Sequence, residues 1–275
     1  DEALSVRGLR GGRVRDVSFS VRRGEVLGVA GLAGSGRTDV ARLIFGPDRI
    51  DGGEIRVSGR AAEIRSPRDP IRHGIALLTE DRKAEGLVPG LPARENFALP
   101  NLARWSRLGW IARRPEGAAF ARWVSSLSIR LASPEQPARD LSGGNQQKLL
   151  VARWLESDSQ VMIFDEPTRG IDVGAKVEMY RLINELAARG KAVVMISSEL
   201  PEVLGMSDRI YVMNDGRFVA ERYVEGATNA LRVWDVVADR LFLERAITPQ
   251  AFRLEFTNVP GDRGPAAWLR FAYAP

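Results

Sequence analysis

The sequence contains no cysteine and a single histidine. The first absence excludes disulfides, thiolate metal sites and a cysteine nucleophile, and it implies no particular redox compartment. The lone histidine lies in Arg72-His73-Gly74 at a predicted helix end, far in sequence from the motifs described below, and reads as a capping or surface residue. Long apolar runs are also missing. No stretch approaches the roughly eighteen residues of a membrane span, and Asp1-Glu2-Ala3 opens without the basic and apolar regions of a signal peptide. Contact with a membrane is therefore expected through a partner. Charge of one sign is lacking as well: 40 basic residues face 35 acidic ones, for a net +5. The arginines are spread along the chain rather than blocked, which argues against nucleic acid as a partner. There is no internal repeat and no low-complexity tract. What remains is 275 residues, 44% hydrophobic and 27% charged, enough for one large domain with a proper core or one domain with an extension.

Ala3 to Leu9 and Val17 to Val21 alternate apolar and polar residues as half-buried strands do, with Gly11-Gly12 as the turn between them. Val26-Leu27-Gly28-Val29-Ala30 is a short continuous apolar run, predicted as a fully buried strand, and a glycine-rich turn and a helix from Thr38 to Phe45 follow it. Two more such runs occur. Val161 to Phe164 ends in Asp165-Glu166-Pro167, and Ala192 to Ile196 ends in Ser197-Ser198. Between them, Val177, Tyr180, Leu182, Ile183 and Leu186 recur at helical spacing within Ala175 to Arg189. Buried strands alternating with helices predict an α/β fold around a parallel sheet. From about Glu85 to Asp140 the pattern is helical, with three tryptophans that read as packing residues. Ala227 to Leu243 is predicted as one helix, and the chain beyond it follows no period.

Three motifs carry the chemistry. Gly31-Leu32-Ala33-Gly34-Ser35-Gly36-Arg37-Thr38 follows a buried strand and opens a helix, the setting of a phosphate-binding loop. There the glycines let backbone N–H groups approach phosphate and the helix N-terminus favours negative charge. Thr38 occupies the position of the Mg²⁺-ligating hydroxyl. Arg37 replaces the usual lysine, a planar fork in place of a compact point charge. Asp165 and Glu166 end an apolar strand, where ligands of open α/β sheets bind. The first suits Mg²⁺ ligation and the second suits orienting an attacking water. Leu141-Ser142-Gly143-Gly144-Asn145-Gln146-Gln147-Lys148 puts a hydroxyl and two glycines at the start of an amphipathic helix, a second anion site.

On these residues the chain resembles the ATP-binding-cassette family, whose signature is the Leu-Ser-Gly-Gly stretch shortly before the acidic strand. Asn145-Gln146-Gln147-Lys148, Glu80 to Leu87, Pro167 to Gly174, Ser197 to Glu202 and the Arg37-Thr38 ending narrow the resemblance further. It is to the second, C-terminal cassette of bacterial monosaccharide importers of the ribose, galactose and xylose type, in which two cassettes are fused. The resemblance implies a P-loop NTPase fold: a nucleotide-binding domain over residues 1–222, with an N-terminal antiparallel β layer and a helical signature subdomain at about 85–150, followed by a tail at 223–275 of unassigned role. It implies ATP and Mg²⁺ as cofactors, the ion being held through Thr38 and Asp165, with Glu166, Ser198 and Glu80 at the reacting phosphate. The implied partners are a second cassette, membrane permease subunits and, indirectly, a periplasmic sugar-binding protein, at the cytoplasmic face of the inner membrane. Residue 1 already sits inside the cassette, so the chain is expected to be part of a longer two-cassette protein. The sugar carried is not legible.

Three departures from the general cassette pattern surround the nucleotide: Arg37, Ser198 in place of a histidine, and Glu80 in place of a glutamine. No aromatic residue near Gly11-Gly12 offers itself to adenine, Phe19 being read as core. The chain's own loop is therefore expected to bind ATP weakly or hydrolyse it slowly, while the intact signature, Leu141 to Gln146, acts in trans on the partner's nucleotide. Two other readings remain open, a catalytically silent regulatory half and a cassette acting outside transport.

Overall fold

The computed structural model describes residues 1–107, 109–225, 228–235, 240–247, 253–261 and 264–272. The chain opens with β1 (Glu2–Gly11) and β2 (Val14–Arg22), joined by the tight turn that Gly11-Gly12 predicts, then β3 (Val26–Gly31) and α1 (Arg37–Phe45). Next come β4 (Gly52–Val57), β5 (Arg60–Ala61), α2 (Arg68–Arg72) and β6 (Ile75–Leu78). His73 caps α2, its backbone N–H donating to the Asp69 carbonyl. After a single π-type turn at Arg82–Gly86 the chain becomes mostly helical, with α3 (Ala93–Ala98), α4 (Leu102–Trp105), α5 (Arg113–Ser126) and the signature helix α6 (Gly143–Glu156).

One small hairpin, β7 (Ser106–Arg107) with β8 (Trp110–Ile111), interrupts that region. It corrects the expectation that all three tryptophans there pack. Trp105 is buried and stacks on Phe97 at 5.7 Å, and the Trp123 indole donates to Glu156, whereas Trp110 stands 83% exposed at the hairpin. The hairpin is too short to bury a face of its own.

The parallel core follows: β9 (Val161–Asp165), α7 (Val173–Ala188), β10 (Ala192–Ile196), α8 (Leu200–Met206) and β11 (Arg209–Asn214). The chain continues as β12 (Arg217–Glu225), β13 (Thr228–Asp235), β14 (Arg240–Ile247) and a separate hairpin of β15 (Arg253–Gly261) with β16 (Gly264–Ala272). The single helix expected over Ala227 to Leu243 is therefore two antiparallel strands; residues 227 and 236–239 lie outside the described set. β13 pairs with the side of β12 that β11 leaves open, which satisfies its backbone in a way that local helical spacing does not reveal.

Two sheets organise the molecule. One is antiparallel in the order β2-β1-β4-β5, and the other has eight strands in the order β14-β13-β12-β11-β3-β10-β9-β6, parallel from β11 to β6. The central strands are buried on both faces, which is why they read as continuous apolar runs. Met162 and Phe164 of β9 face the helices, while Val161 and Ile163 face α1 and the antiparallel layer. Phe19 belongs to that second cluster, as its reading as core requires. The carboxyl ends of β3, β9 and β10 converge on one edge of this core, and the motif residues project from there.

Candidate functional site

The phosphate loop is shaped by its neighbours. At Gly31, φ is +155° and a Cβ would run into the Met213 carbonyl oxygen. Gly36, at φ +103°, caps α1 in a left-handed conformation. Only glycine fits both positions at low cost. The loop is anchored to the β11–β12 turn, the Gly216 N–H donating to the Ser35 carbonyl at 2.9 Å. Ser35 and Arg37 are buried, and among the described residues Ser35 Oγ and Arg37 Nη1 have no hydrogen-bond partner, Arg37 Nη1 making only an ion pair with Glu166 at 3.5 Å. A buried hydroxyl and a buried guanidinium nitrogen with unmet hydrogen-bonding capacity, at the N-terminus of α1, match what phosphate oxygens would satisfy.

Opposite them stand the two carboxylates. Thr38 Oγ1 donates to Asp165 Oδ1 at 3.3 Å. Burial pushes the Asp165 carboxyl up to about 6; the Thr38 hydrogen bond and the Arg37 charge pull it down, while the Glu166 charge pushes it further up. Among the described residues no cluster of three acidic or histidine side chains could hold a metal alone. Thr38 Oγ1 and Asp165 fit Mg²⁺, which takes one or two protein oxygens and completes its shell with phosphate and water. Glu166 adopts a left-handed backbone, φ +50°, which costs a non-glycine residue energy and directs its side chain back toward the loop. Arg37 Nη1 lies 3.5 Å from Glu166 Oε1, and Ser198 Oγ donates to Glu166 Oε2 at 3.1 Å. Burial lowers the Arg37 guanidinium below its ordinary value, opposed by Glu166 and then Asp165. Arg37, Thr38, Asp165, Glu166 and Ser198 thus form one connected group.

Glu80 is not hydrogen-bonded to that group; its carboxylate pairs with Arg169. The acidic side chain whose charge reaches Asp165 from this segment is Glu85, held at 2.6 Å by Arg42 of α1. A second contributor went unnoticed in the sequence reading. Thr168 Oγ1 donates to Glu202 Oε1 at 2.8 Å and Ser197 Oγ donates to Glu202 Oε2, all three residues being buried. Glu202 thereby ties the turn after β9 to the end of β10, on either side of Glu166 and Ser198. The segment Ser197 to Glu202 stood out in the sequence, but nothing in it marks a partner at residue 168.

The signature residues lie elsewhere. Ser142 is exposed and caps α6, accepting from the Asn145 backbone N–H at 3.4 Å and from Asn145 Nδ2 at 2.9 Å. Leu141 and Gln146 are buried beneath it, the latter donating to the Ala138 carbonyl at 3.0 Å. Gly143 and Gly144 begin the helix and leave its first N–H groups facing outward. The tie from α6 to the first group runs through the backbone after β9, where Gln147 Nε2 donates to the Pro167 carbonyl at 2.8 Å. The chain thus brings its motif residues together at two separate places, a group of charged side chains at the start of α1 and the N-terminus of α6.

Comparison with known proteins bears on this arrangement. The family model described as ABC transporter matches residues 14–169. A Burkholderia lata protein named as a ribose/galactose/methyl galactoside import ATP-binding protein is 56% identical over 230 residues, covering 83% of this chain and 45% of that protein. A ribose import ATP-binding protein of Bacillus subtilis is 50% identical over 217 residues, covering 79% and 44%. The chain therefore spans less than half the length of these curated relatives. Among solved structures, a nucleotide-free ATP-binding cassette from an ABC transporter superposes with a TM-score of 0.71 at 22% identity, over 82% of this chain and 92% of that one. A dimeric cassette in a post-hydrolysis state with ADP and Pi gives 0.67 at 20% identity, over 81% and 99%. These two likenesses establish the fold.

Proposed function

Because the chain belongs to the ABC transporter family, we propose that it is an ATP-binding and ATP-hydrolysing cassette that powers import of a sugar through a membrane permease. The observation that carries this reading is the pair of buried polar atoms in the phosphate loop without a hydrogen bond among the described residues, Ser35 Oγ and Arg37 Nη1, the latter paired with Glu166 at 3.5 Å. The identity of 50–56% to sugar-import relatives supports the cargo class. We assign residues 1–222 to the cassette, with a helical subdomain at about 85–150, and residues 223–275 to a tail of unassigned role; β12 crosses that boundary, and β13 and β14 extend the cassette's own sheet. Its partners are a second cassette, fused or separate, and permease subunits supplied by a periplasmic sugar-binding protein. It works peripherally at the cytoplasmic face of the inner membrane; among the described residues no helix is long and apolar enough to cross one.

In the chemistry that follows, Gly31 to Thr38 bind the phosphates through backbone N–H groups and Arg37. Thr38 and Asp165 hold Mg²⁺, which when bound neutralises developing phosphate charge. Glu166 orients the attacking water. The finer part of the proposal is asymmetry. Arg37 already leans on Glu166, and Ser198 donates a hydrogen bond where a charged imidazole would do more, so the chain's own site turns over slowly. Ser142, Gly143 and Gly144 cap the nucleotide held by the partner cassette, and that composite site is the competent one.

A second reading, a silent regulatory half, is favoured by the same contact between Arg37 and Glu166. Titrating a fluorescent ATP analogue with Mg²⁺ into the chain, alone and with its partner cassette, separates the two readings. Binding in both cases with turnover only in the pair supports the cassette role. Binding without turnover in the pair supports the silent half, and absence of binding in both contradicts nucleotide recognition.

A further inference from the structure

Arg82, within the segment Glu80 to Leu87, reaches two other motif segments at once and takes part in none of the steps above. Its Nε donates to Gln146 Oε1 at 3.1 Å, its Nη1 to the Arg169 carbonyl at 2.9 Å and its Nη2 to the Gly170 carbonyl at 3.2 Å. The backbone beneath it is fixed by Asp81, whose carboxylate accepts from the Lys83 and Ala84 N–H groups at 3.1 and 3.0 Å. The grip is reciprocal: the Arg169 side chain returns to pair with Glu80, two residues before Arg82. The first signature glycine closes the junction. A Cβ on Gly143 would lie 2.8 Å from Arg82 Nη2 and 3.2 Å from the Gly170 carbonyl oxygen, so the start of α6 rests against the guanidinium.

Only a rigid planar fork spans this arrangement. A lysine ammonium, a point charge on a flexible stem, cannot hold an amide oxygen and two carbonyls of another segment in fixed register. Arg82 meets these three with hydrogen bonds rather than with a carboxylate, so what it supplies here is geometry more than charge pairing. We infer that Arg82 is a positioning residue that locks the segment Glu80–Leu87, the start of the signature helix and the turn following Asp165 and Glu166 into one unit. A shift of the Glu80–Leu87 segment then moves the signature, acting on one nucleotide, together with the carboxylates acting on the other. The inference rests on the proposal that the signature works in trans.

The test uses the chain assembled with its partner cassette and compares Arg82→Lys, Arg82→Gln and Gln146→Met with the parent. The expected result is a kcat for ATP hydrolysis lowered about tenfold by each, the scale of losing hydrogen bonds from a charged donor, with KM changed less than about twofold. Arg82→Lys gives no rescue. The double variant Arg82→Gln with Gln146→Met loses less than the product of the two single losses, because both cut the tie between these side chains. Losses that multiply overturn the inference, as does a kcat within about twofold of the parent or full rescue by lysine. Ser142→Arg is run alongside. If it abolishes turnover while the Arg82 variants keep theirs, this inference alone fails; if it leaves turnover intact, the trans reading fails and the inference falls with it.

Discussion

At the scale of single residues, the site is a small set of charged groups whose roles follow from burial. Asp165 is nearly inaccessible, and burial raises its carboxyl to about 6 against the pull of Thr38 and Arg37. A divalent cation placed between Thr38 Oγ1 and Asp165 would lower it again, because the nearest charge then favours the carboxylate. Replacing Asp165 with Asn should therefore lower the affinity for the Mg²⁺ form of an ATP analogue by about tenfold, one charge-assisted contact. The parent measured with a metal chelator should behave as the variant does. Equal affinity of parent and variant in the presence of Mg²⁺, by fluorescence titration, would remove Asp165 from the metal. The glycines of the loop, Thr38, Asp165 and Glu166 were legible in the sequence because each sits within a contiguous motif. Arg82, Glu85 and Glu202 were not. The partners of Arg82 lie 64 to 88 residues away, that of Glu85 43 away and the distant one of Glu202 34 away, and only the folded chain brings them together.

At the scale of elements, the parallel strands announced themselves because burial on both faces leaves no polar position to break an apolar run. Of the N-terminal strands, β2 was equally plain, since its alternation marks one covered face, whereas β1 is buried over four successive residues, Ala3 to Val6. The helical region was legible as a class but not in its ties, which are made by two buried polar side chains. Asn96 of α3 donates through Nδ2 to the carbonyls of Val88, Leu91 and Pro92 and accepts at Oδ1 from the Val88 N–H. Arg153 of α6 reaches the carbonyls of Asn96 and Gly86. Asn96 is fully buried, so removing its amide strands several donors and acceptors away from water. Asn96→Ala should cost about 3 kcal/mol, read as a lower urea midpoint with unchanged slope. A loss below about 0.5 kcal/mol, the scale of a neutral surface change, would show that the network contributes little. The region after Glu221 misled for the opposite reason. Its leucines, valines and alanines satisfy a helical period by chance, and the partner that decides the matter is the far edge of a sheet built by the rest of the chain.

At the scale of the whole molecule, one chain carries two groups of motif residues, each at the N-terminus of a helix. The phosphate loop with Asp165 and Glu166 is one, and the exposed start of α6 at Ser142 is the other. Within a single chain the second has no nucleotide to cap. On the proposal above, head-to-tail pairing with a second cassette would give it one and would yield two composite sites of unequal make-up. Steady-state ATP hydrolysis by the reconstituted pair, comparing Ser142→Arg with Glu166→Gln, tests this asymmetry most directly. Ser142→Arg is predicted to abolish most turnover by blocking the competent site with a bulky cation, while Glu166→Gln leaves most of it intact. An equal loss from both variants would contradict the asymmetry.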